Sequence, residues 1–231
     1  MCGRFVSATT PQQLSDYFSV DELAATDVSP NYNVAPTQEV VVVAEDEQHH
    51  RVLDRYKWGL IPSWAKDPKV GNRMINARAE TAASKPAYRK PFAKRRCIIP
   101  ADGFFEWKKV TGSKTKQPYF IHPTDEPVFA FAGLWDRWHD DANDEWVRSC
   151  TILTGDPNEV VAAIHDRMPV VLPREHWDAW LDPDNDDVEG LQALLVPAPA
   201  AGFAVYPVRT VVNSPRNNSE ANLEADPEPV A

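Results

Sequence analysis

The chain has 231 residues, 43% of them hydrophobic and 25% charged, with 21 prolines against 9 glycines. That length can bury a substantial core, and the proline excess favours short strands and loops over long helices. The net charge of −10 argues against a wholly basic nucleic-acid coat, the densest apolar run (VVVVA, 40–44) is too short to span a bilayer, and three scattered cysteines with no C-x-x-C argue against a disulfide framework and a zinc site.

The chain opens MCGRF. Cys2 is either small apolar filler in an N-terminal strand or, once Met1 is removed, a 1,2-aminothiol able to close a five-membered ring on an aldehyde. TTPQQLSDYF predicts a helix, with Thr10 as cap and Pro11 at the first helical position. QEVVVVAE and RVLDRYKWGL predict paired strands. Trp58 and Trp64 in the following WGLIPSW are either core residues or platforms on which nucleobases stack.

From 73 to 96 the balance reverses. Arg73, Arg78, Lys85, Arg89, Lys90, Lys94, Arg95 and Arg96 face a single acid, Glu80, and alternate with Tyr88 and Phe92. Such a run is either a solvated face or a surface for phosphates and stacked bases. Within it, INARAET reads as a helix start capped by Asn76, a position that can also face a ligand, and residues 76–94 have helical composition broken by Pro86 and Pro91.

CIIPADGFFEWKK predicts strand, turn at 101–103, and strand. Alternation puts Phe104 and Glu106 on one face, Phe105 and Trp107 on the other. Glu106 is a solvated edge residue or a carboxylate among aromatics, where lost solvation suits it to exchange protons. PYFIH, VFAFAGLW and VRSCTILT continue as strands. PNEVVAAIHDR and PREHWDAWL predict short helices, and His165, between an apolar helical run and MPVVL, is the one histidine of six in a setting that anchors it.

Strands outnumber helices, so the expected fold is α+β, with a mostly antiparallel, barrel-like sheet and short peripheral helices. Residues 1–218 are expected as one domain and 219–231 as a loose, disordered acidic tail. The acidic loops fit a salt-adapted host and equally an ordinary solvated surface. A reducing cytoplasm, no cofactor or metal, no membrane and a monomer without an obligate protein partner complete the expectation.

MCGRF, YNVAPTQ, WGLIPSW, NARAET, RRCIIPADGFFEWKK and IHDRMPVVL, in this order, resemble the SOS-response-associated peptidase family, and VVNSPRNNSE extends the resemblance to about residue 217. The resemblance implies that fold and a DNA-repair role: recognition of abasic sites in single-stranded DNA and covalent capture of the ring-opened sugar. It implies Cys2 as nucleophile, Asn76 holding the aminothiol and sugar, Glu106 shuttling protons, and His165 assisting ring opening and reversal. Arg4 and Arg78 would grip phosphates. The chain departs in GFFEW, where a tyrosine often precedes Glu-Trp.

These residue types suit the reaction. A terminal amine with a reference pKa of about 7.7–8.0 is roughly a tenth unprotonated at pH 7, whereas a lysine at about 10.4 leaves a few parts in ten thousand. The amine forms an imine, and the Cys2 sulfur closes a thiazolidine. Two rivals remain at this point: a thiol peptidase built from Cys2, His165 and Glu106, and a non-covalent single-strand-binding module.

Overall fold

A computed structural model describes residues 2–230. Strand β1 (Arg4–Ser7) leads into helix α1 (Pro11–Phe18), whose start follows the sequence: Thr10 Oγ1 accepts from the Gln13 amide and Gln13 Oε1 accepts from the Thr10 amide. Left-handed Ser19 ends the helix. After β2 (Glu22–Leu23) and β3 (Asn31–Val34) come the long antiparallel pair β4 (Glu39–Glu45) and β5 (Arg51–Trp58). The run 76–94 divides into a short strand β6 (Asn76–Arg78) and two short helices, α2 (Ala79–Ala82) and α3 (Arg89–Lys94).

Strands β7 (Arg96–Ala101), β8 (Gly103–Lys108), β9 (Gln117–Pro123), β10 (Phe129–Asp140) and β11 (Glu145–Gly155) follow with short connections. The predicted helix around 158–167 shrinks to α4 (Glu159–Ala162), capped by Asn158. Then come β12 (Met168–Pro169), α5 (Trp177–Leu181), α6 (Val188–Ala193) and β13 (Phe203–Pro207).

Strands β4, β5, β11, β10 and β7 pair in that order and the ring closes, because β7 also pairs β4. The only parallel contact within the ring joins β5 to β11, Ser149 opposite Lys57 and Cys150 opposite Trp58. A second sheet runs β13-β9-β8-β1-β3. The mixed α+β architecture with a largely antiparallel barrel is therefore the expected one.

Both faces of β4 are buried, which is why it reads as an uninterrupted valine run. Val41, Val43, Ile98, Ala130 and Leu134 pack under Phe18, Trp177 and Trp180 of the peripheral helices. Their alternates Val40, Val42, Ile99 and Phe131 pack against Phe5, Phe104 and Cys2 of the second sheet. Gly59, at φ +130°, lies so close to Gly71 that an added Cβ would stand 2.5 Å from the Gly71 carbonyl oxygen. This backbone contact seats the segment that leads to β6.

Residues 219–230 do not form a loose tail. Asn222 is fully buried, Ala225 bridges to Val208, and the Val230 amide donates to Gln117 Oε1 at 2.8 Å. Acidity governed the expectation; the backbone partners offered by β9 and its neighbours govern the outcome. Among the described residues, no helix is long and apolar enough to cross a membrane.

Candidate active site

Cys2 lies two residues before β1, an inner strand of the second sheet, and is fully buried, its Sγ directed to the Arg4 carbonyl at 3.7 Å. Burial pushes the thiol well above its ordinary range, and the nearby charge of Glu106 adds to the effect. The group is therefore a neutral thiol at physiological pH.

Asn76 reaches Cys2 from the opposite sheet. It is not a helix cap: it lies in β6, which pairs in parallel with β11, Asn76 opposite Ile152. Its Nδ2 donates to the Cys2 carbonyl at 2.7 Å, while its Oδ1 is buried with no hydrogen-bond partner among the described residues. Arg78 follows two residues later, exposed and on the same side of the strand.

Glu106 comes from β8, adjacent to β1, and is only 3% exposed. The desolvated alternative for this carboxylate is the one realised, with Phe104 in one core cluster and Phe105 in another, as alternation requires. His165 stands just beyond α4. Its Nδ1 lies 2.9 Å from Asp166 Oδ1 and 3.1 Å from the Arg167 amide nitrogen. Arg167 ties this loop down through Glu80, with both carboxylate oxygens, and through the Thr154 carbonyl.

Glu106 and His165 line one open groove of about 430 Å³ with Gly3, Arg4, Trp107 and Lys116. Cys2, fully buried, does not itself line the groove; its chain neighbour Gly3 does. Arg4 donates to Asn33 Oδ1 at 2.8 Å and to the Val212 and Asn213 carbonyls, and its guanidinium sits 5.9 Å from the Trp107 ring centroid. All of these acceptors are neutral, and the Glu106 carboxylate lines the same groove as the guanidinium. Asn33, almost fully buried, also donates to the Val212, Ser214 and Asn217 carbonyls. This is why YNVAP and VVNSPRNN belong to one site despite their separation.

The basic stretch scatters. Trp58 is fully buried, edge-on to Phe5 at 5.1 Å with its Nε1 donating to the Ile75 carbonyl, and cannot stack on a base. Trp64 is 63% exposed and can. Arg96 is also a core residue: it donates to the carbonyls of Phe92, Ala93, Trp180, Asp182 and Asn185, and burial draws its pKa down to about 10. Its work is to close the end of α3 and hold the α5–α6 segment. Arg95 pairs with Asp136 and lines a separate groove of about 570 Å³ that shares no residue with the Cys2 groove. Arg73 and Arg89 are exposed but do not line the Cys2 groove.

Sequence reasoning overlooked three features here. Trp107 was read only as a strand residue, yet it walls the groove with its Nε1 donating to Asn213 Oδ1 at 2.7 Å. Arg167 was passed over beside His165. The basic run KKVTGSKTK over 108–116, directly after Glu106-Trp107, was the legible signal for Lys114 and Lys116.

Among the described residues no cluster of histidine, cysteine or acidic groups could hold a metal ion.

The model of the SOS response associated peptidase (SRAP) family matches residues 1–215. The chain is 45% identical over 227 residues to the abasic site processing protein YoaM of Bacillus subtilis, covering 98% of this chain and 99% of that one. It is 36% identical over 219 residues to the abasic site processing protein HMCES of Gallus gallus, covering 82% and 64% respectively. Among solved structures, a protein from Bacteroides thetaiotaomicron superposes with a TM-score of 0.82 at 28% identity, covering 94% of this chain and 97% of that one.

Proposed function

The chain belongs to the SOS response associated peptidase family, and from that membership together with the site's geometry we propose that it captures abasic sites in single-stranded DNA as a covalent adduct of Cys2. The observation that carries this reading is the convergence of Asn76, from β6 beside the barrel strand β11, on the backbone of a cysteine at position 2. The bond fixes the residue whose amine and thiol would react.

The reaction begins with removal of Met1, which lies outside the described residues; the family's name supports a cleavage in cis. The freed α-amine attacks the sugar aldehyde, and the resulting carbinolamine loses water to give an imine. Cys2 Sγ then adds to the imine carbon while its proton passes to the nitrogen, giving a thiazolidine ring. One water leaves overall, and no oxidant or metal is needed. Asn76 fixes the residue so that nitrogen and sulfur face one carbon, with near-intramolecular advantage for the second step. Glu106 relays protons for opening the sugar and losing water, and His165 acts from the other groove wall. Arg4 and Arg78 hold flanking phosphates.

A thiol peptidase acting in trans would need a thiolate nucleophile, and burial together with the Glu106 charge raises the Cys2 thiol away from that form.

The test is incubation of the purified protein with a single-stranded oligonucleotide carrying one abasic site, followed by a denaturing gel. A band that survives heat and detergent, and is lost when alanine is inserted between Met1 and Cys2, supports the reading. No such band from the mature protein overturns it.

A further inference from the structure

The β8–β9 hairpin carries Lys108 at the end of β8 and Lys109, Lys114 and Lys116 in its loop, with no acidic residue between Glu106 and Asp125. In a chain of net charge −10 this is an exception, and none of the four makes an ion pair among the described residues. All four are exposed.

The placement of these charges matters more than their number. The Cys2 groove adjoins a second open groove of about 440 Å³, lined by Lys114, Thr115 and Asn213 together with Arg4, Trp107 and Lys116. The last three residues line both grooves, so the two form one continuous trough that starts at Glu106 and His165 and runs out along the hairpin. Trp107 forms part of the wall where they join.

The base of the hairpin is firmly held. Gln117, fully buried, donates to the Pro118 and Val208 carbonyls at 2.9 and 2.8 Å. On the other side of the trough, Asn213 accepts from Trp107 and its carbonyl accepts from Arg4. Lys114 and Lys116 therefore line the trough beside an anchored strand end, together with Arg4, whose acceptors at Asn33, Val212 and Asn213 are all neutral.

We propose that this hairpin is a phosphate rail for the single strand on one side of the lesion, with Lys114 and Lys116 contacting successive backbone phosphates as the strand leaves the Cys2 groove past Trp107. The proposal rests on the abasic-site reading of the groove and adds to it a defined exit path. The rail is one-sided, because the lysines border the trough only where it passes along the hairpin. Lysine suits the task, being a compact charge on a flexible stem that follows a backbone without selecting sequence.

Non-covalent binding tests the rail separately from the chemistry. In the Cys2→Ser protein, fluorescence anisotropy with a labelled undamaged single strand measures affinity against salt. Lys114→Gln with Lys116→Gln should weaken binding several-fold and lower the log–log salt slope by about 1.4, two contacts at about 0.7 each. An unchanged slope overturns the rail. With Cys2 intact, sub-saturating oligonucleotides carrying the abasic site near the 5′ or the 3′ end should show a capture deficit for only one flank. An equal deficit on both flanks means a general field and overturns the rail. A wild-type chain that forms no adduct, but whose salt slope falls in the double variant, would remove the covalent reading and leave the rail standing.

Discussion

Asn76 and Cys2, 74 residues apart, are joined by a single 2.7 Å hydrogen bond from a side-chain amide to a backbone carbonyl. The other end of that amide, Oδ1, is buried without a partner among the described residues. A buried acceptor left open costs about 1–3 kcal/mol, and a substrate hydroxyl or an amine N–H can satisfy it on binding.

Asn76→Ala removes both the clamp and the open acceptor. Adduct formation at saturating abasic oligonucleotide should slow about 10- to 100-fold, equivalent to roughly 1.4–2.7 kcal/mol of barrier. Rapid-quench time courses on denaturing gels check the rate. Urea unfolding should show a loss of only about 1 kcal/mol, because one hydrogen bond is removed.

Cys2→Ala retains an α-amine after Met1 removal but has no sulfur to close the ring. The lesion should then be caught only as an imine, visible on the gel when cyanoborohydride is present during the reaction and absent without it. The wild-type adduct needs no reductant. A reductant-independent Cys2→Ala band would contradict ring closure.

Two pH dependences follow. Capture by the wild-type chain should accelerate as pH rises through the α-amine range of about 7.7–8.0 and then level off, since the Cys2 thiol stays protonated there. Stability should move the other way at higher pH. Burial raises Cys2, Cys97 and Cys150, so each stays protonated in the folded chain while the unfolded thiol ionises near pH 8.5. The contribution is complete below that pH and is lost above it, at about 1.4 kcal/mol per pH unit for each thiol. Urea midpoints at pH 8.0 and 9.5 measure it, and equal midpoints would refute it.

The two tryptophans of WGLIPSW should separate cleanly. Trp58→Ala empties a fully buried site and should cost about 3–5 kcal/mol in urea unfolding. Trp64→Ala should leave the unfolding midpoint nearly unchanged and weaken single-strand affinity, by about 1–3 kcal/mol if a base stacks on the ring.

Glu80→Ala releases Arg167 from its two-pronged carboxylate partner, leaving the longer Asp156 contact, and loosens the loop that carries His165. Adduct formation and reversal should both slow several-fold on denaturing-gel time courses. A change in stability with unaltered rates would make the ion pair merely structural.

Local signals were the legible ones. The capping box at Thr10, the valine run of β4 and the alternation around Glu106 follow from spacing alone, and each forms as its spacing dictates. What escaped depends on distant pairing. Asn76 reads as a helix cap until β11 offers it a parallel partner. Trp58 and Arg96 sit in a polar-looking, cationic neighbourhood, but ring closure between β5 and β11 and the packing of α5 bury them. The order of the motifs indicated the chemistry; which arginines remain available to a phosphate required the fold.

The site's connectivity also orders events during synthesis. Cys2 lies far ahead in the chain of what surrounds it: the residue proposed as its clamp is at 76, those proposed to move protons are at 106 and 165, and the carbonyls that orient Arg4 are at 212 and 213. The enclosing walls therefore emerge from the ribosome long after the residue they shelter. A nascent chain whose initiator has already been trimmed would expose an aldehyde-reactive end for most of its elongation, so trimming that waits for the finished pocket would keep the reagent intact until it is needed.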